Sequence, residues 1–101
     1  ATNRIIIGND VVVASRVFIT DHFHGNTTYN DLQIPVRNRL LYSKGPVVIG
    51  NNVWIGEGAS ILPNVTIGDN SIVAAHAVVT KNIPANSIAV GCPARIIRTI
   101  N

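Results

Sequence analysis

The chain has 101 residues, a formal net charge of +3, 13% charged and 5% aromatic residues, and no methionine. That length bounds it to one small domain, whose apolar mass is Ile, Val and Ala, suited to a pleated, stacked surface rather than a helix bundle. The absence of a Lys/Arg run argues against nucleic acid, no apolar stretch nears the ~20 residues of a membrane-spanning helix, and the single Cys92 excludes an internal disulfide framework.

Along the chain, one period dominates. "RIIIGND" is already in repeat, so the reading expects an N-terminal portion to precede it. Ile7, Val13 and Ile19 stand six apart. Thirty residues, five periods, then separate Ile19 from Ile49, so the insertion placed at about 23–46 suspends the rhythm without resetting it. From there Ile49, Ile55, Ile61, Ile67, Val73 and Val79 keep strict six-residue phase. Four residues after each comes a small or β-branched partner: Val53, Ala59, Val65, Ser71, Ala77 and Ile83. The final stretch, about 84–101, breaks the period and is expected to cap the domain.

A six-residue period fits neither a helix of 3.6 residues per turn nor the plain two-residue alternation of a strand. Short strands with a corner every sixth residue satisfy it, the aliphatic side chain pointing inward and Gly or Asn taking the tight turn. Three such faces close a coil of about eighteen residues, and stacked coils make a parallel β-helix. The coils are read as 7–24, 49–66 and 67–84 within a single domain spanning 1–101. A low charged fraction also suits a surface partly covered by another subunit.

The hexads, with "NNVWIG", "VTKNIP" and the terminal "GCPARIIR", resemble the hexapeptide-repeat acyltransferases, in the galactoside, maltose and polysaccharide O-acetyltransferase branch. The resemblance implies an all-β, left-handed parallel β-helix working as a homotrimer, with active sites between subunits. It also implies acetyl-coenzyme A as acyl donor, a hydroxyl or amino group of a sugar, antibiotic or other small molecule as acceptor, and no metal. A hydroxyl of a sugar or polysaccharide precursor is the expected acceptor, and the lone cysteine suits a reducing, cytoplasmic setting.

Acyl transfer needs a base, and histidine serves well near neutral pH. His22 matches the family's catalytic position, with His24 its rival or a substrate-lining residue. Asp21 adjoins His22 but is expected on the opposite face of a strand, hence a poor orienting partner. The insertion, with Tyr29 among its polar residues, is expected to shape the acceptor pocket. Gly56, Glu57 and Gly58 match the segment whose backbone N–H receives the oxyanion across the interface. Trp54, the only tryptophan, stands in an outward position that suits an interface or ligand contact. Ala75 and Thr80 match positions flanking the pantetheine arm. Lys81, Arg95 and Arg98 follow the last acid, Asp69, and are assigned to the coenzyme A phosphates.

Three other readings stay open at this level. The acceptor group can be an amine of an amino sugar or an antibiotic instead of a hydroxyl. His22, His24 and His76 evoke a zinc-dependent carbonic anhydrase on the same fold, although their spacing does not reproduce its ligand pattern. The domain can also be a non-catalytic β-helix used only for assembly.

Overall fold

The structure, a computed structural model, describes residues 3–24 and 29–100, except the side chains of His24, Tyr29, Asp31 and Tyr42. The expected acceptor contacts of His24 and Tyr29 therefore lie outside the described residues.

Short strands follow one another at the hexad spacing. The first coil holds β1 (Ile5–Ile7), β2 (Val12–Val13) and β3 (Phe18–Ile19). An insertion follows, bounded by β4 (Phe23–His24) and β5 (Leu41–Tyr42), which pair antiparallel and close its base. Within it, α1 (Tyr29–Leu32) makes a single turn and a 3-10 turn spans Val36–Asn38. The coils then resume with β6 (Val47–Ile49), β7 (Trp54–Ile55), β8 (Ser60–Ile61), β9 (Thr66–Ile67), β10 (Ile72–Val73) and β11 (Val78–Val79). Two longer strands finish the chain, β12 (Ser87–Val90) and β13 (Arg95–Thr99).

The strands stack into three parallel walls. The first is β1–β6–β9, the second β2–β7–β10–β12 with β13 at its edge, and the third β3–β8–β11. Ile7 pairs with Ile49, Val13 with Ile55 and Ile19 with Ile61, each forty-two residues on, whereas Ile55 pairs with Val73 eighteen residues on. The twenty-four-residue difference is the insertion, so the stack continues as the phase of the sequence required. The fold is a left-handed parallel β-helix.

Its core is two columns of side chains per wall. Ile49, Ile55, Ile61, Ile67, Val73 and Val79 are at most 1% exposed, and their partners Val53, Ala59, Val65, Ser71 and Ala77 are equally enclosed. Each fully buried Ile or Val contributes about 1.5–3 kcal/mol. The corners need left-handed backbone, and Asn52, Asn70 and Asn86 supply it at φ of 56°, 61° and 58°. Their side chains also run as a ladder, Asn52 Nδ2 donating to Asn70 Oδ1 and Asn70 Nδ2 to Asn86 Oδ1, both at 3.0 Å. Asn tolerates this conformation better than other residues with a Cβ, and the ladder repeats once per coil.

The C-terminal segment does more than cap. β12 still pairs parallel with β10, but Ile88 lies only sixteen residues beyond Ile72, so this last coil is tighter than the others. Ser71 makes the tightening possible. Its hydroxyl donates to Pro84 O at 2.8 Å and accepts from the Ser87 N–H at 3.2 Å, so buried backbone groups that fall out of ladder register are still met. β13 then turns back antiparallel on β12 and ends the parallel run.

Candidate active site

His22 stands at the third corner, where the wall β3–β8–β11 gives way to the first wall of the next coil. The last ladder bond before it runs from Thr20 N–H to Ile61 O at 3.0 Å. The chain then folds on itself: the Thr20 hydroxyl accepts from the His22 N–H at 3.3 Å and donates to its carbonyl at 3.1 Å. That local turn ends strand alternation, so both Thr20 and Asp21 are turned inward, at 8% and 0% exposure.

This corrects the expectation for Asp21. Extended geometry would have put its carboxylate on the face opposite His22, but at a corner the two side chains converge. Asp21 Oδ1 lies 3.0 Å from His22 Nδ1. Asp21 Oδ2 accepts the backbone N–H of Asn3 at the entry to β1. The His22 side chain remains 32% exposed, so the ring is held on one side and open on the other.

Among the described residues, two clefts adjoin this corner. The first, about 360 Å³, is lined by Phe23, Lys44, Leu62, Pro63, Asn64 and Thr80. Thr80 is one of the expected pantetheine contacts. Lys44 was not singled out from the sequence, because the insertion that carries it has no hexad phase to place it. The second cleft, about 280 Å³, is lined by Lys81, Asn82, Ile83, Ala94, Arg95 and Ile96. It gathers two of the three cations assigned to phosphate. The third, Arg98, sits opposite Ile88 on β13 and does not line it.

The remaining predicted contacts collect at the second corner, between β7 and β8. Trp54 is 56% exposed, flanked on its wall by Val12 and Ile72. With Ala14, Gly56, Glu57 and Ala75 it lines an apolar cleft of about 460 Å³. Gly56 is required there by close packing, since a Cβ on it would lie 2.6 Å from Ala75 N. The Gly56 N–H is used by Val73 O at 2.8 Å and the Gly58 N–H by Ser15 O at 3.0 Å. Among the described residues this leaves the Glu57 N–H as the unengaged one of the three. The Glu57 carboxylate faces outward against the Arg16 guanidinium, and the Glu57 carbonyl accepts the His76 N–H.

The predicted residues thus fall into two groups on one chain. His22, Thr80, Lys81 and Arg95 share the third corner and its clefts, and Trp54, Gly56, Glu57 and Ala75 share the second. The wall β3–β8–β11 stands between them, so a single chain does not bring Glu57 to His22. His76 belongs to the second corner, at the position stacked on Gly58, and so stands apart from His22.

The model of the bacterial transferase hexapeptide family (six repeats) matches residues 46–81. Over 97 residues, the chain is 44% identical to galactoside O-acetyltransferase of Escherichia coli strain K12, covering 96% of this chain and 45% of that protein. The chain thus carries the hexapeptide repeat of that family over residues 46–81 and is similar to an O-acetyltransferase over nearly its whole length. Two solved structures of the family agree closely with its fold. A galactoside acetyltransferase in complex with coenzyme A superposes with a TM-score of 0.84 at 44% identity, covering 96% of this chain and 46% of that one. A maltose O-acetyltransferase from Clostridium difficile 630 gives 0.83 at 42% identity, with 96% and 49% covered. The chain therefore spans about half the length of the family members it matches.

Proposed function

We propose that this β-helix carries the catalytic centre of a homotrimeric O-acetyltransferase, moving an acetyl group from acetyl-coenzyme A to a hydroxyl of a sugar or polysaccharide precursor. The observation that carries the reading is His22 at a corner. Its ring is fastened on one side by a buried carboxylate and partly exposed on the other; the next residue, Phe23, lines one cleft with Thr80, and Lys81 and Arg95 line a second.

His22 acts as general base. As the acceptor oxygen attacks the thioester carbonyl, its proton passes to the free ring nitrogen of His22. The resulting oxyanion needs a preorganised donor, and the Glu57 N–H of a neighbouring subunit suits that role, because both flanking N–H groups are already engaged. Collapse of the tetrahedral adduct breaks the carbon–sulfur bond, and the departing thiolate recovers the proton from the imidazolium. Transfer is direct, with no acyl-enzyme. Thr80 and Ala75 border the pantetheine arm on the two sides of the interface. Lys81 and Arg95, with Arg98 further along β13, neutralise the phosphates. Trp54 packs at the same interface, beside the small residues Gly56 and Ala75. His24 and Tyr29 are assigned to the acceptor side. Two separated groups of site residues on one chain are what a site shared between subunits requires.

The test is acetyl transfer from acetyl-coenzyme A to a panel of sugars, nucleotide sugars and amino sugars, with the protein in its natural full-length form. His22→Ala is expected to lower kcat by about 10²–10⁴-fold. Near-normal transfer by His22→Ala, with loss in His24→Ala, would move the base to His24. An amine-only acceptor profile would turn the reading to N-acetylation. No thermal shift and no turnover with acetyl-coenzyme A would leave an assembly domain.

A further inference from the structure

Asp21 is a fully buried carboxylate whose role the family resemblance does not supply. Burying a charge without partners is costly, so its surroundings should explain it. Among its partners are the Asn3 backbone N–H on Oδ2 and His22 Nδ1 on Oδ1. A backbone N–H can only donate, and an ionised carboxylate can only accept. With the carboxylate ionised, Nδ1 must carry the proton, and the neutral ring is left with its lone pair on Nε2.

We infer that Asp21 is the positioning residue of the base. It fixes the Nδ1–H tautomer and the ring orientation of His22, and the Asn3 N–H fixes the carboxylate in turn. The arrangement is built by the corner itself. The Thr20 hydroxyl bridges both backbone groups of His22, and this bend brings adjacent side chains onto one side. It also links the base to the first strand, because the residue after Asn3 anchors the stack, Arg4 O accepting the Val47 N–H at 2.9 Å. Seating β1 on β6 therefore holds Asn3 where it completes the dyad.

The inference rests on the acetyl-transfer reading for its kinetic consequence but not for its geometry, and the experiment separates the two. Long-range proton–nitrogen correlation of the ¹⁵N-labelled protein reads the tautomer of His22 directly, assigned by its loss in His22→Ala. The wild type should carry its neutral-ring proton on Nδ1, and Asp21→Asn should lose that preference. In transfer assays with acetyl-coenzyme A and p-nitrophenyl β-galactoside, Asp21→Asn should lower kcat by about 10²-fold or more with little change in the KM for acetyl-coenzyme A. Asp21→Glu should recover part of that loss. A wild-type proton on Nε2, or an unchanged tautomer in Asp21→Asn, overturns the inference, and so does an effect confined to KM. Should Asp21→Asn fail to fold, the wild-type spectrum alone still decides the tautomer. If no acceptor is acetylated while Asp21 still sets the tautomer, it is the transfer reading that falls and the positioning role that survives.

Discussion

Ile7 and Ile49 are the same residue type, occupy the same position on one wall and pair with each other in a parallel ladder, yet Ile49 is 1% exposed and Ile7 48%. Ile61 and Ile19 repeat the contrast more weakly, fully buried against partly buried. Nothing local distinguishes the members of each pair. What differs is that the second coil has a coil on both sides, while among the described residues the first has a neighbour on one side only. In a stacked solenoid, burial is a property of the neighbour, and a hexad residue contributes in full only when both adjacent coils are present.

That comparison sets the largest expected effect. Ile49→Ala should cost about 2–5 kcal/mol, the transfer loss plus a cavity that the two flanking coils cannot close. Ile7→Ala removes the same atoms from a half-exposed site and should cost about 1 kcal/mol, with little cavity term. Chemical denaturation of both variants at one protein concentration measures the difference. Equal costs would break the comparison, because they would mean that the open face of the first coil is covered in solution.

A second contrast lies between regular and shortened coils, and its effect is expected to be smaller. Val53 and Ser71 hold equivalent inward positions one coil apart, but the coil after Ser71 spans sixteen residues where the previous one spans eighteen. Ser71→Ala should cost about 1–3 kcal/mol, since Pro84 O and the Ser87 N–H lose a shared partner. Ser71→Val should be no better, although Val suits the same place in the coil before. If Val proved stabilising, packing and not hydrogen bonding would govern the tight coil. Thermal unfolding followed by circular dichroism measures both variants.

The stack was legible because its signal is periodic and its cause is repetitive. Six aliphatic positions from Ile49 to Val79 kept phase in the sequence, and all of them are enclosed in the structure. The phase across the insertion also survived, because the coil on either side fixes where the ladder must resume. What sequence reasoning missed lies where the period stops. Asp21 was placed by strand alternation at a corner where the Thr20 hydroxyl has already bent the chain. Lys44 carries no phase at all. The insertion's single helical turn, "YNDL", is too short to show a 3.6-residue period. The shortened coil was read as an ending, since a serine in a hexad position says only that the residue is small. The separation of His22 from Glu57 follows from corner arithmetic, but its meaning depends on a second chain.

The smallest effect tests whether the corners or the charges on them matter more. Arg16 and Glu57 form an ion pair across the second corner, but their side chains are 78% and 45% exposed. Such a pair contributes between zero and about 1 kcal/mol, and salt screens it. Arg16 also stands at φ 57°, at the place where the next coil has Gly58 at φ 69°. A left-handed residue with a Cβ carries a cost that glycine avoids. Arg16→Ala loses the pair and keeps the backbone cost, so it should destabilise by up to about 1 kcal/mol. Arg16→Gly loses the pair but relieves the backbone, so the two terms nearly cancel and stability should stay within about 0.5 kcal/mol of wild type. Denaturant unfolding of both variants at low and high salt separates the contributions. If glycine is as harmful as alanine, and the loss fades with salt, the charge pair outweighs the corner. If glycine is the better of the two at every salt concentration, backbone conformation governs this corner as it does the asparagine ladder.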